Sequence, residues 1–278
     1  MKRLLSIELQ KIWLNKASRT LTLSYFILLS FIALIASIKY DFGPIKLHFA
    51  DMGIFNFPCI WHFNTYFADF FKFFLAIIIV SMMANEYSYG TLKQNLIDGM
   101  SKQEFITSKF LVVLLFAATS TLFVFLMSLI LGYSFSSYNE ASIVFSNMEY
   151  LFAYFIKLLG FFTFCLFIGI LIKRSAFAIG FVFICYVIEA IIIGLVKYKF
   201  FQNNATAASI VDLLPLQSMS NLIVEPVSKL SVIKNVGNQI GIDNIKDYSV
   251  HFGTILTVCF WIIVFIYLSN SILKKRDL

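Results

Sequence analysis

Apolar residues in this chain fall in long unbroken runs, not in two-residue alternation. Six runs approach the length that crosses a hydrocarbon core about 30 Å thick at about 1.5 Å of helix rise per residue. They cover positions 21–38, 66–84, 110–132, 151–172, 177–196 and 251–269. Strand barrels need alternation, and lipid leaves no partner for the open backbone groups of other structures, so each run reads as a helix. The pattern predicts an all-α polytopic membrane protein of six transmembrane helices, one domain over 1–278.

The start of the chain follows a different period. Leu5, Leu9, Ile12 and Trp13 recur at helical spacing, while Arg3, Gln10, Lys11 and Asn15 take the other face. This predicts an amphipathic interfacial helix over 1–18, lying against membrane lipid. A generic basic anchor that merely sets topology is the alternative. The charged lead and the long run at 21–38, with no small-residue cleavage site after it, read as a retained first span and not a signal peptide.

Composition sharpens the class. Of 278 residues 60% are hydrophobic and 13% charged, against about a quarter charged in soluble domains. The net charge of +7 does not point to nucleic acid, because the Lys and Arg residues stand beside the apolar runs. On one side lie Lys2, Arg3, Lys11, Lys16, Arg19, Lys93, Lys102, Lys109, Lys173, Arg174, Lys274, Lys275 and Arg276. The loop after the third span has Glu140 and Glu149 and no basic residue. The bias places both termini in the cytoplasm, in agreement with an even number of spans, and a bacterial inner membrane is the expected location. The long loop at 197–250 is then extracytoplasmic, with apolar residues between Ser209 and Ile233 that would let it dip into the outer leaflet.

Cys59, Cys165, Cys185 and Cys259 have no metal spacing, and His48, His62 and His251 are scattered without a second ligand nearby, so no metal is expected.

The stretch 85–109, between the second and third spans, carries the most local punctuation. Thr91 with Gln94, and Ser101 with Glu104, have capping-box spacing, and Asp98-Gly99 between them suits a helix end. The reading is a short helix, a sharp turn and a second helix leading into the third span. A short helix fixed between two spans would act as a lever for a partner; a solvated helical loop is the plainer alternative.

Glu86, Gly90, Thr91, Lys93, Ser101, Lys102, Phe105 and Lys109 together resemble the pattern of type-2 ABC exporter permeases. Glu8-Leu9-Gln10-Lys11 is similar to the interfacial helix that opens those proteins, and Leu214-Pro215 with Leu222-Ile223 resembles the segment before their last span. The resemblance extends to six spans in the same order along the whole chain. It implies that the region from Glu86 to Lys109, including Tyr87 and Glu104, is a cytoplasmic coupling helix gripping a soluble ABC ATPase. It implies a second permease subunit, identical or different, and export of a hydrophobic or amphipathic peptide, lipid or drug. ATP and magnesium would belong to the partner, and this chain has no G-x-x-x-x-G-K-[ST] phosphate loop. The loop at 197–250 is longer than the family connection.

Ionisable residues within spans cost roughly 2.5–3.5 kcal/mol each at the centre and call for a reason. Asp69 and Lys72, three apart on one face, are expected to pair with each other. Lys157 and Glu189 stand at similar depth in consecutive spans and are expected to form an ion pair, with a substrate path as the alternative. An enzyme would need paired catalytic groups at one depth, and none are present. A secondary transporter would show interrupted spans, yet no proline falls inside a run. A non-transporting membrane scaffold of the same fold is the second functional class.

Overall fold

The computed structural model describes residues 2–38, 40–42, 45–47, 52–200, 205–229 and 246–276. Helix α1 (Lys2–Leu14) turns at Asn15 into α2 (Lys16–Ser37), and the Asn15 side chain caps α2 by accepting from the Ala17 and Ser18 amides. A three-residue antiparallel pair follows, β1 (Tyr40–Phe42) with β2 (Ile45–Leu47), which the apolar pattern did not predict. Then come α3 (Cys59–Asp69), α4 (Lys72–Ser88), α5 (Thr91–Ile97), α6 (Lys102–Phe135), α7 (Ala141–Val144), α8 (Glu149–Ile172) and α9 (Ser175–Gly194). A π-helical turn extends α9 over Leu195–Phe200; α10 (Ala205–Asp212), α11 (Pro215–Asn221), a 3₁₀ turn (Val227–Lys229) and α12 (Phe252–Lys275) are the remaining described elements. The fold is helical; among the described residues five helices are long and apolar enough to cross a membrane, or six when α3 and α4 count as one span.

Helix α8 is the axis. Of its most apolar window 78% is buried inside the protein, against 11% for α9. An all-round apolar helix belongs in the middle of a bundle, and α12, α4, α6 and α3 pack around α8. Two glycines set how closely they approach. A Cβ on Gly160 would stand 2.9 Å from Val258 Cγ1, and one on Gly169 would stand 3.1 Å from Met83 Cβ. Small residues at crossings are what lets helix backbones close up in lipid, where the hydrophobic effect does not drive them together.

The second span is not the continuous helix expected over 66–84. Helices α3 and α4 meet at 45° across Phe70 and Phe71. The Phe70, Phe71 and Phe74 amides donate to the carbonyls of Phe67, Ala68 and Phe71, three residues back. The helix tightens to a 3₁₀ turn there, a change of pitch that needs neither Pro nor Gly. Absence of proline was therefore a poor guide to continuity.

The loop after α9 is partly internal. Helix α11 packs on α12 and α8, with Leu216, Ser218 and Met219 buried. Its return is fastened at the end of the bundle remote from the termini. There His62 stacks on Tyr150 with ring centroids 4.2 Å apart, and its Nε2 stands 2.6 Å from the Val224 carbonyl. Lys246 pairs with Glu225 at 2.6 Å. Burial raises the Glu225 carboxyl, but hydrogen bonds from Lys246 and Ser228 outweigh it and hold the group below its usual range. His48 and the loop residues 230–245 lie outside the described residues.

Candidate functional site

At the end of the bundle where both termini lie, α4 stops at Ser88 and Gly90 takes a left-handed conformation, φ 68°. That residue type tolerates the conformation without a Cβ penalty. It reverses the chain into α5, and Gly99 at φ 95° reverses it again before α6. The Ser101–Glu104 capping box is present in full: Ser101 Oγ accepts from the Glu104 amide, and the Glu104 carboxylate accepts from the Ser101 amide. Those bonds hold the Glu104 carboxyl below its ordinary range. The expected Thr91–Gln94 box is not formed. Gly90 occupies the cap position, Thr91 is the first helical residue, and its hydroxyl donates to Glu86.

Glu86 is the hub of a charged corner. Lys109 Nζ lies 2.6 Å from Glu86 Oε1 and 2.6 Å from Glu8 Oε2. Lys11 Nζ lies 2.9 Å from the same Glu86 oxygen and 3.5 Å from Glu8 Oε1. Asn95 Nδ2 approaches Glu86 Oε2 at 3.5 Å from α5. Lys109 is wholly buried, and Glu8 and Glu86 nearly so. Two carboxylates balance two ammonium groups, which is how charges survive removal from water. Burial alone would lower the Lys11 pKa, but Glu86 and Glu8 raise it above the ordinary lysine value. The corner thereby ties α1, α4, α5 and α6 into one unit.

A second clasp joins the C-terminal end to this unit. Arg276 Nη1 donates to the Tyr87 hydroxyl at 2.8 Å and to the Ile170 carbonyl at 2.5 Å, and Nη2 donates to the Leu171 carbonyl at 2.9 Å. Lys102 Nζ donates to the Arg276 carbonyl at 3.0 Å. The last open carbonyls of α8 find a guanidinium there, as helix C-termini favour. Helix α1 turns Leu5, Glu8 and Ile12 toward the bundle, whereas Trp13 is 53% exposed and does not share the buried face with Ile12.

Deeper in the bundle, Asp69 and Lys72 face each other across the α3–α4 break. Lys72 Nζ lies 2.9 Å from Asp69 Oδ2 and 3.1 Å from Oδ1. Lys157 Nζ reaches the same Oδ2 at 3.2 Å. The expected Lys157–Glu189 pair is absent. Glu189 instead caps α11, its Oε1 accepting from the Leu216 amide at 2.9 Å and its Oε2 from the Gln217 amide at 3.0 Å. One turn before Lys157, the hydroxyls of Tyr154, Tyr25 and Ser120 form a buried triangle. Among the described residues no group of His, Cys, Asp and Glu could hold a metal ion.

Residues 25–278 match the family described as "Protein of unknown function (DUF2705)". The chain belongs to the DUF2705 family. No curated protein matches it.

In this DUF2705 chain the motif residues divide by exposure. Glu8, Glu86 and Lys109 are internal, while Lys93, Ser101 and Glu104 face outward. The exposed tip of the turn is formed by Tyr89, Lys93 and Ile97, with Tyr89 76% and Ile97 77% exposed. Sequence spacing found the charged residues but not the Arg276 clasp, whose only signal was a basic residue after the last span.

Proposed function

We propose that this chain is the membrane-spanning permease subunit of an ATP-driven ABC exporter, with its termini in the cytoplasm and the α4–α5–α6 turn receiving a soluble ATPase. The observation that carries the reading is the charged corner, which fastens the turn to the first helix and to two long helices at once. A partner pressing on the turn would move α4 and α6 as rigid levers, since helices transmit displacement along their axes and packed contacts do not deform continuously. The absence of a phosphate loop from the sequence fits a division of labour in which nucleotide binds elsewhere.

In this reading α1 lies in the cytoplasmic interface with Ile7, Trp13 and Leu14 exposed toward lipid. The docking contact falls on the outward tip, Tyr89, Lys93 and Ile97, while Glu86 and Lys109 hold the tip in place. A hydrophobic or amphipathic substrate and a second permease copy, identical or different, complete the arrangement.

The test is purification of the tagged full chain from its native membrane in mild detergent, with mass spectrometry of whatever accompanies it. A phosphate-loop ATPase should come with the wild type and should be lost with Ile97→Asp or Lys93→Glu. Both substitutions are at exposed positions and should leave insertion and thermal stability unchanged. Recovery of the wild-type chain without any ATPase would overturn the exporter reading in favour of a membrane scaffold. Full retention of the ATPase by both variants would move the contact away from the tip.

A further inference from the structure

The Asp69–Lys72–Lys157 triad sets two ammonium groups against one carboxylate inside the bundle. We propose that it is a binding site for one anionic group, a phosphate or a carboxylate, held jointly by Lys72 and Lys157. The inference concerns the bundle alone and stands whether or not an ATPase binds at the turn.

Charge balance is the first argument. The charged corner at the terminal end closes with two acids against two bases, and the triad does not. Among the described residues, Asp69 is the one carboxylate within ion-pair distance of either lysine. Both ammonium nitrogens contact the same oxygen, at 2.9 and 3.2 Å, so they stand within about 6 Å of each other, where like charges repel strongly away from water. The ring faces of Phe161 at 4.8 Å and Phe73 at 5.9 Å steady Lys72 without adding net charge. A second anion bridging the two nitrogens would neutralise the site.

Donor capacity points the same way. A lysine ammonium has three N–H donors and no acceptor. Asp69 takes two contacts from Lys72 and one from Lys157, which leaves donors directed elsewhere. Tyr154 lies three residues before Lys157 on the same face of α8, and its hydroxyl triangle extends the polar patch.

Access is the third argument. The triad straddles the break, and the side chain of Asp69 is 16% exposed while that of Lys157 is 3% exposed. Lys157 stands eight residues from the start of α8 at Glu149, about 12 Å below the far end of the bundle. A lipid phosphate drawn down along the bundle, or a soluble anion entering from the far side, would have to cover that depth to reach Lys72 and Lys157, whose side chains are 10% and 3% exposed.

The test uses the purified full chain in uncharged maltoside micelles and follows its thermal unfolding midpoint. Phosphatidylglycerol is the anionic probe, phosphatidylcholine the uncharged-balance control, and inorganic phosphate the soluble probe. The wild type should gain about 4 °C or more with phosphatidylglycerol and not with phosphatidylcholine. Lys157→Met leaves Asp69 and Lys72 as a balanced pair and should need at least about tenfold more probe for the same gain. Because only a buried lysine changes, the basic surface residues are common to both proteins. Lys157→Arg should restore the response, and Lys157→Gln serves if the Met variant does not fold. A gain with inorganic phosphate alone identifies a soluble ligand, and a gain confined to phosphatidylglycerol identifies a lipid. No charge-selective gain in the wild type, or equal titrations for wild type and the Met variant, would overturn the proposal.

Discussion

Lys109 illustrates how one side chain organises the terminal end. It stands about two turns into α6 from the Ser101 cap and meets carboxylates delivered by α1 and α4. Removing its ammonium would leave Glu8 and Glu86 to share the single, partly exposed ammonium of Lys11, two buried acids against one base. Breaking a buried pair in this way costs about 3–5 kcal/mol, because the partner charge remains uncompensated. Lys109→Met should therefore lower the thermal midpoint sharply, and adding Glu86→Gln should recover part of the loss. Lys11 offers the contrast. It contacts the same Glu86 oxygen, but its side chain is 39% exposed, so Lys11→Met should cost no more than about 1 kcal/mol. Fluorescence-detected unfolding in detergent distinguishes the two; equal losses would show that burial does not govern this corner.

At the scale of elements, helix crossings rest on the absence of side chains at chosen points. A Cβ on Gly132 would come within 2.2 Å of the Phe57 ring, and one on Gly160 within 2.9 Å of Val258. Gly180, in α9, has nothing within 4 Å of that position. Gly132→Ala and Gly160→Ala should each destabilise by about 1–3 kcal/mol through overpacking. Gly180→Ala should be neutral or stabilising by up to about 1 kcal/mol, because alanine restricts the unfolded chain and favours helix. Midpoints of the three variants measured side by side check the order. What the sequence could reveal of these elements follows the same divide between local and distant causes. The Ser101–Glu104 box was legible because both partners lie in one turn and the bonding is local. The six apolar runs were legible because solvent, not a neighbouring helix, dictates them. Lys157 was misassigned because adjacency in the chain favoured α9 as its partner, whereas α8 is surrounded and meets α3 as well. The break at Phe70–Phe71 carries neither Pro nor Gly, so its 3₁₀ pitch had no local signature. The corner residues were identified by type, but their burial depends on α1 folding back, which no spacing within 85–109 records.

For the molecule as a whole, the two ends of the bundle differ in chemistry, and that difference predicts its orientation. The terminal end sets Lys109 against Glu86 and Lys173 and Arg276 against Tyr87, with Lys102 reaching the carbonyls of Lys274 and Arg276. The far end carries Glu140 and Glu149 in the α6–α8 connection with no basic residue between them. Lys and Arg near span ends are retained on the cytoplasmic side, so the turn and both termini should face the cytoplasm and α7 should face outward. The chain supplies its own reporter for this. Cys59 opens α3 at the far end and is exposed, whereas Cys165 is buried and Cys185 and Cys259 are half-buried within apolar helices. A membrane-impermeant maleimide added to intact cells should label the wild type at Cys59, because a water-soluble reagent reaches an exposed thiol and does not reach one in hydrocarbon. In a Cys59→Ser background, a cysteine replacing Lys93 at the exposed tip should react only after the cells are permeabilised. The reverse pattern would invert the bundle and remove the turn from the compartment that holds ATP, so the same labelling experiment bears on the orientation and on the proposed source of energy together.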